Sequence, residues 1–84
     1  MSPYFITFRS ITAAQRGERL LQKNGIRCQI SRTPRWMEEQ GCGYCLRMRG
    51  TDALAAVHLL REQEVNYGKI YAIMDSGKIE ERER

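Results

Sequence analysis

Gly41-Cys42-Gly43-Tyr44-Cys45 is the segment whose residue types and spacing point to reactive sulfur. Cysteine prefers burial, yet Cys42 stands between two glycines in a polar connection with little side chain to cover it. Flanking glycines remove Cβ bulk, so a reagent can approach the sulfur, and their backbone N–H groups can point at a thiolate. Arg32 and Arg35 lie a few residues upstream, and a neighbouring cation lowers a thiol pKa from about 8.5 toward neutrality. These are the ingredients of a nucleophilic cysteine, with Gly41, Gly43, Arg32 and Arg35 as the residues that would bind or activate its reaction partner. The competing reading is an exposed, inert cysteine in a turn.

Cys42 and Cys45 also form C-x-x-C. In thioredoxin-like proteins that spacing sits at a helix N-terminus, whose dipole activates the first sulfur. Here the second cysteine enters a predicted strand. A zinc or iron–sulfur site takes about four ligands and this pair supplies two. Cys28 falls on an apolar strand position and reads as core, and His58 falls on a helix flank. A metal would therefore require a dimer sharing two pairs, and no cofactor is expected within one chain. Hydrolytic catalysis has little support: there is one histidine, no Ser-His-Asp pattern and no glycine-rich phosphate loop. Glu38-Glu39 read as solvated. Trp36 and Met37, large apolar residues in the same connection, read as folding back onto the core or meeting a partner.

The elements that must position this segment follow from periodicity. Tyr4–Phe8 is β-branched and aromatic and predicts a strand. Ser10 or Thr12 can cap a helix, the latter with Gln15 in a capping box. Ala13, Ala14, Gly17, Leu20 and Leu21 form that helix's inner face, and Asn24-Gly25 stops it. Gly17, a poor helix former, implies close approach of helix to sheet. A second strand is expected over Ile26–Ser31, ended by Thr33-Pro34-Arg35. Tyr44–Arg49 alternates strictly, with Tyr44, Leu46 and Met48 facing one way and Cys45, Arg47 and Arg49 the other. Thr51-Asp52 caps a second helix running to about Gln63, and Ile70–Met74 is the fourth strand. Strand–helix–strand twice over predicts an α+β, ferredoxin-like βαββαβ sandwich: a four-stranded antiparallel sheet with two helices on one face. Residues 1–76 make one such domain, and residues 77–84 read as a charged, mobile tail.

Composition bounds the rest. The chain has 84 residues, 42% hydrophobic and 29% charged, enough for one small globular domain. No apolar run approaches the ~18 residues of a membrane span, and the N-terminus lacks the features of a secretory signal. Three cysteines cannot all pair within one chain, so a reducing cytoplasm is the expected address. Residues 1–50 hold nine Arg/Lys against three acids, a balance of +6, and residues 51–84 hold five against seven, a balance of −2. A basic half suits nucleic acid, a phosphate-bearing partner, an acidic protein or solubility alone. Phe5, Thr7, Tyr71 and Ile73 could share the open sheet face with Arg47 and Arg49. The third strand lacks the Lys/Arg-Gly-aromatic pattern of RNA-binding sandwiches, so nucleic acid is not the expected partner. That face reads instead as a dimer interface or a docking surface.

Tyr4-Phe5-Ile6-Thr7-Phe8, Leu20-Leu21-Gln22-Lys23-Asn24-Gly25-Ile26, Thr33-Pro34-Arg35, Cys42-Gly43 and Tyr67-Gly68-Lys69-Ile70-Tyr71 together resemble a small bacterial family of selenium/sulfur (Se/S) carrier protein-like domains. Thr-Pro-Arg followed by Cys-Gly is the specific part, and the resemblance covers roughly residues 3–74. It implies carriage of sulfur or selenium as a cysteine persulfide or selenosulfide. It also implies a donor such as a cysteine desulfurase, and an acceptor protein. The Cys-Gly cysteine maps onto Cys42, and Thr33-Pro34-Arg35 match the family's turn. The chain departs from the family pattern where small apolar residues usually follow Cys-Gly: it places Tyr44 and Cys45. A second thiol there could resolve a persulfide by forming a Cys42–Cys45 disulfide. Glu64 stands where the family has glycine at the end of helix two. The expectation is a carrier rather than a stand-alone enzyme. The alternatives are a non-catalytic module binding RNA, protein or a second copy through the open face, and a C-x-x-C redox or metal site shared between subunits.

Overall fold

β-Branched and aromatic residues at alternating positions give the first strand, and the rest of the sheet is built outward from it. A computed structural model describes residues 3–33 and 43–82. In chain order the elements are β1 (Pro3–Phe8), α1 (Ile11–Lys23), β2 (Cys28–Arg32), β3 (Tyr44–Arg49), α2 (Gly50–Glu62), β4 (Ile70–Ile73) and β5 (Ile79–Arg82). The sheet order is β2-β3-β1-β4-β5 and every neighbouring pair is antiparallel. Each helix thus joins two strands that run parallel with a third strand between them.

Local chemistry sets the helix ends. Ser10, not Thr12, caps α1: its Oγ accepts from the Ala13 N–H at 3.1 Å, satisfying a donor that the helix itself leaves unpaired. α2 starts at Gly50 with Arg49 as N-cap and no side-chain cap, so the expected Thr51-Asp52 cap is not formed. Asp52 instead sits in the first turn, where a carboxylate favours the positive end of the helix dipole. Both helices close through the same pair of turns. Gly25 N–H reaches Gln22 O at 3.1 Å and Ile26 N–H reaches Leu21 O at 2.9 Å, while Glu64 N–H reaches Arg61 O at 3.1 Å and Val65 N–H reaches Leu60 O at 2.9 Å.

The core lies between the helices and one sheet face. Ile6, Phe8, Leu46, Met48 and Ile70 meet Ala14 and Leu21 of α1 and Ala56 and Leu60 of α2. Burying each of the larger side chains contributes about 1.5–3 kcal/mol. Gly17 serves the close approach expected of it: a Cβ there would stand 3.1 Å from Phe8 and 3.3 Å from Leu60. Among the described residues, no helix is long and apolar enough to cross a membrane.

The sheet has five strands, not the expected four. Residues 79–82, expected within a mobile tail beginning at 77, pair with β4 in the register Ile73↔Ile79 to Ile70↔Arg82. The connecting turn is closed by Gly77 N–H to Met74 O at 2.8 Å and Met74 N–H to Lys78 O at 2.7 Å, with Gly77 at φ +88. Glycine supplies that left-handed conformation without a Cβ clash. The charges that made the segment look like a tail are what a sheet edge tolerates. They also find partners: Lys69 Nζ lies 3.8 Å from Glu81, and the Arg82 guanidinium sits 5.9 Å from the Tyr4 ring centroid.

Candidate functional site

The β2–β3 hairpin carries every described residue of the expected sulfur site. Its register runs from Cys28↔Met48 to Arg32↔Tyr44, and the Thr33 N–H closes its mouth by donating to Gly43 O at 3.0 Å. Cys42, Gly41 and Arg35 lie outside the described residues, as do Trp36, Met37, Glu38 and Glu39. The structure describes the frame from which that connection leaves and to which it returns: Arg32, Thr33, Gly43 and Cys45.

Gly43 was expected to open access to sulfur, and its neighbours add a packing reason. A Cβ at this position would stand 3.0 Å from the Phe8 carbonyl oxygen and 3.3 Å from Thr33 Oγ1. The strand start therefore lies too close to β1 for a larger residue. Thr33 is 8% exposed, and among the described residues its hydroxyl makes no hydrogen bond of good geometry, although it stands close enough to the Cys45 thiol to favour its anion.

Cys45 faces away from the helices, as alternation requires, and shares that side with Thr7 and Ser31, its partners in register. It is nonetheless 0% exposed. Its Sγ lies 3.4 Å from Ser31 Oγ. Burial pushes the Cys45 thiol up from its ordinary pKa, while the Ser31 and Thr33 hydroxyls pull the other way. Desolvation wins because a thiolate loses more from leaving water than two neutral donors return.

Cys28 lies on the helix-facing side, half-buried against the core. Desolvation, reinforced by the Glu18 carboxylate, raises its pKa to about 11. The thiol points its proton at the Glu18 carbonyl oxygen, 3.9 Å away. Cys28 and Cys45 are both free thiols.

Arg32 does not stand beside Cys45. Its guanidinium lies 5.8 Å from the centroid of the Tyr44 ring, its register partner, and alternation puts both on the opposite side of the sheet from Cys45. His58 pairs with Glu62 at 3.3 Å on the exposed flank of α2, away from the thiols. Among the described residues, no three His, Cys, Asp or Glu side chains gather as metal ligands. Sequence reasoning did not single out Ser31 as a partner of Cys45. Counting back from the hairpin mouth in alternating steps would have placed the two opposite each other.

No curated protein and no solved structure matches the chain. Residues 3–72, nearly the whole of the described fold, match the family described as "Putative Se/S carrier protein-like", and the chain belongs to that family.

Proposed function

We propose that the protein holds sulfur or selenium on Cys42 as a persulfide or selenosulfide and passes it to an acceptor protein in the cytoplasm. The observation that carries this reading is the state of the other two thiols: burial keeps both Cys28 and Cys45 protonated at neutral pH. Only a thiolate attacks, so within a family of Se/S carriers the acceptor role falls to Cys42. The Cys42 thiolate attacks the outer sulfur of a donor persulfide, such as that of a cysteine desulfurase. A new S–S bond forms at Cys42, the donor S–S bond breaks, and the donor cysteine leaves with the electron pair as a thiolate. Gly41 and Gly43 would admit the donor, and Arg32 and Arg35 would hold it or stabilise the thiolate.

Cys45 is the resolving thiol in this scheme. Its attack on Cys42 would form the disulfide and release hydrosulfide, and a dithiol reductant would restore the pair. That discharge is slow, because Cys45 is buried and protonated. We read the first four strands and the two helices as a ferredoxin-like sandwich extended at its edge by β5.

Intact mass after incubation with a cysteine desulfurase and cysteine tests the reading. One added sulfur of about 32 Da is expected on the wild type, on Cys28→Ser and, for longer, on Cys45→Ser, and none on Cys42→Ser. An adduct that survives Cys42→Ser overturns the assignment. No adduct on the wild type, from a sulfur or a selenium donor, overturns carriage.

A further inference from the structure

At the end of the β2–β3 hairpin away from its mouth, Arg27, Arg47 and Arg49 line an open groove of about 1080 Å³ with Pro3, Gln22 and Gln29. All three arginines are exposed, and none forms an ion pair with another described residue. Gln29 pairs with Arg47 in register, and Arg27 and Arg49 fall one step beyond the Cys28–Met48 pair, on neighbouring strands. Like charges placed opposite each other on adjacent strands destabilise a sheet. Among the described residues the groove holds one carboxylate, on Glu18, which pairs with none of the three: its Oε2 accepts from the Ile30 N–H at 3.3 Å, beside Cys28.

We propose that this groove docks an acidic segment, a cluster of Asp and Glu side chains, on the protein that donates sulfur or selenium, an inference that rests on the carrier reading above. Three observations select that partner. Among the described residues the arginines find no counterion, so charge complementarity is left for a ligand to supply. The neighbouring open face offers little ring surface for base stacking, because Tyr71 is only 7% exposed and Phe5, beside it, is half-buried, and single-stranded nucleic acid binding relies on accessible rings. Distance is the third. From Gly43 to Arg49 is six strand steps, about 20 Å. A standard interface of about 800 Å² per partner covers that span, so a donor seated on the arginines also reaches the hairpin mouth to which Cys42 is joined.

The experiment compares the wild type with R27E/R47E/R49E, using a cysteine desulfurase with cysteine as donor. Persulfide loading is followed against donor concentration and salt, with Tm and iodoacetamide labelling of Cys42 measured alongside. The expected result is second-order loading slowed by about 10-fold or more and a flattened salt dependence. Cys42 labelling stays unchanged and Tm stays close to the wild type, since one set of like charges has been exchanged for another of opposite sign. Should the triple variant not fold, R47E alone and the charge-preserving R27K/R47K/R49K read the same effect, a loss in the first and retention in the second. Wild-type loading by the folded charge-reversed protein overturns the proposal. So does loss of retention on an RNA column with loading intact, which would make the groove a nucleic-acid surface. If the wild type accepts no sulfur, the carrier reading fails by itself, and titration of a labelled poly-glutamate peptide then reads the groove directly. Salt-sensitive binding lost in the triple variant supports an acidic ligand, and absence of binding overturns it.

Discussion

The two strand–helix–strand halves of the molecule are built alike and differ in two places, the turn that ends each helix and the side of the sheet that receives each thiol. β1-α1-β2 closes its helix on Gly25 at φ +81, and β3-α2-β4 closes its helix on Glu64 at φ +57. The closing hydrogen bonds correspond one for one. The second half therefore holds an L-residue in a conformation where glycine alone is unstrained. The first half sends Cys28 toward the helices and the second sends Cys45 to the opposite side. Both thiols are desolvated, but a carboxylate adds to that effect at Cys28 and two hydroxyls subtract from it at Cys45. Burial silences a thiol, and the local neighbours decide how deeply.

The largest predicted effect separates the two halves by thiol reactivity. A pKa of about 11 against an ordinary 9.0 makes the Cys28 thiolate about 100-fold scarcer than that of an unperturbed cysteine at pH 7. Iodoacetamide labelling followed by peptide mapping should find Cys28 slower by that factor, with the rate rising about tenfold per pH unit toward pH 11. Glu18→Gln should bring the rise to lower pH. The same shift acts on stability. The folded pKa lies above the unfolded one, so the stabilisation is complete below pH 9 and is lost as pH climbs from 9 to about 11. A labelling rate that levels off near pH 9 would refute the contrast.

Equalising the helix ends is the next test. Glu64→Gly should stabilise the protein by about 1 kcal/mol, raising Tm by roughly 4–8 °C. Gly25→Ala should destabilise it by a similar amount, both read by thermal or urea unfolding. If Glu64→Gly has no effect or lowers stability, the two turns are not energetically equivalent. The smallest effect concerns the hydroxyls. Ser31→Ala should raise the Cys45 pKa further and slow its labelling at pH 9 a few-fold, consistent with a hydrogen bond worth about 1 kcal/mol. Faster labelling would mean that Ser31 shields the sulfur rather than stabilising its anion.

Much of this arrangement can be read from the chain. Alternation in Tyr44–Arg49 places Cys45, Arg47 and Arg49 on one side and Leu46 and Met48 on the other, as observed. Gly17, too small for its helix position, marks the contact with Phe8 and Leu60. Glu64, read from the chain as standing where a glycine was expected, is the one non-glycine residue at positive φ among those described. Other features resist such reading. Ile79-Glu80-Glu81-Arg82 carries the composition of a solvated tail, and only pairing with β4 makes it a strand. Arg32 meets the ring of Tyr44, 5.8 Å from its centroid, across a strand pair whose register only the fold supplies.

Sequence alone was enough for the order of the first four strands and two helices, the sides of the sheet that Cys28 and Cys45 take, and the glycine turn that ends α1. These depend on the 3.6- and 2-residue periods and on backbone preferences, which are local. Folding in three dimensions is what buries Cys45 on the side without helices, sets Ser31 and Thr33 beside it, completes the sheet with β5, and gathers three arginines from two strands and their approach into one groove. Burial, pKa and charge clustering are sums over atoms brought close by folding, and residues far apart along the chain supply most of them.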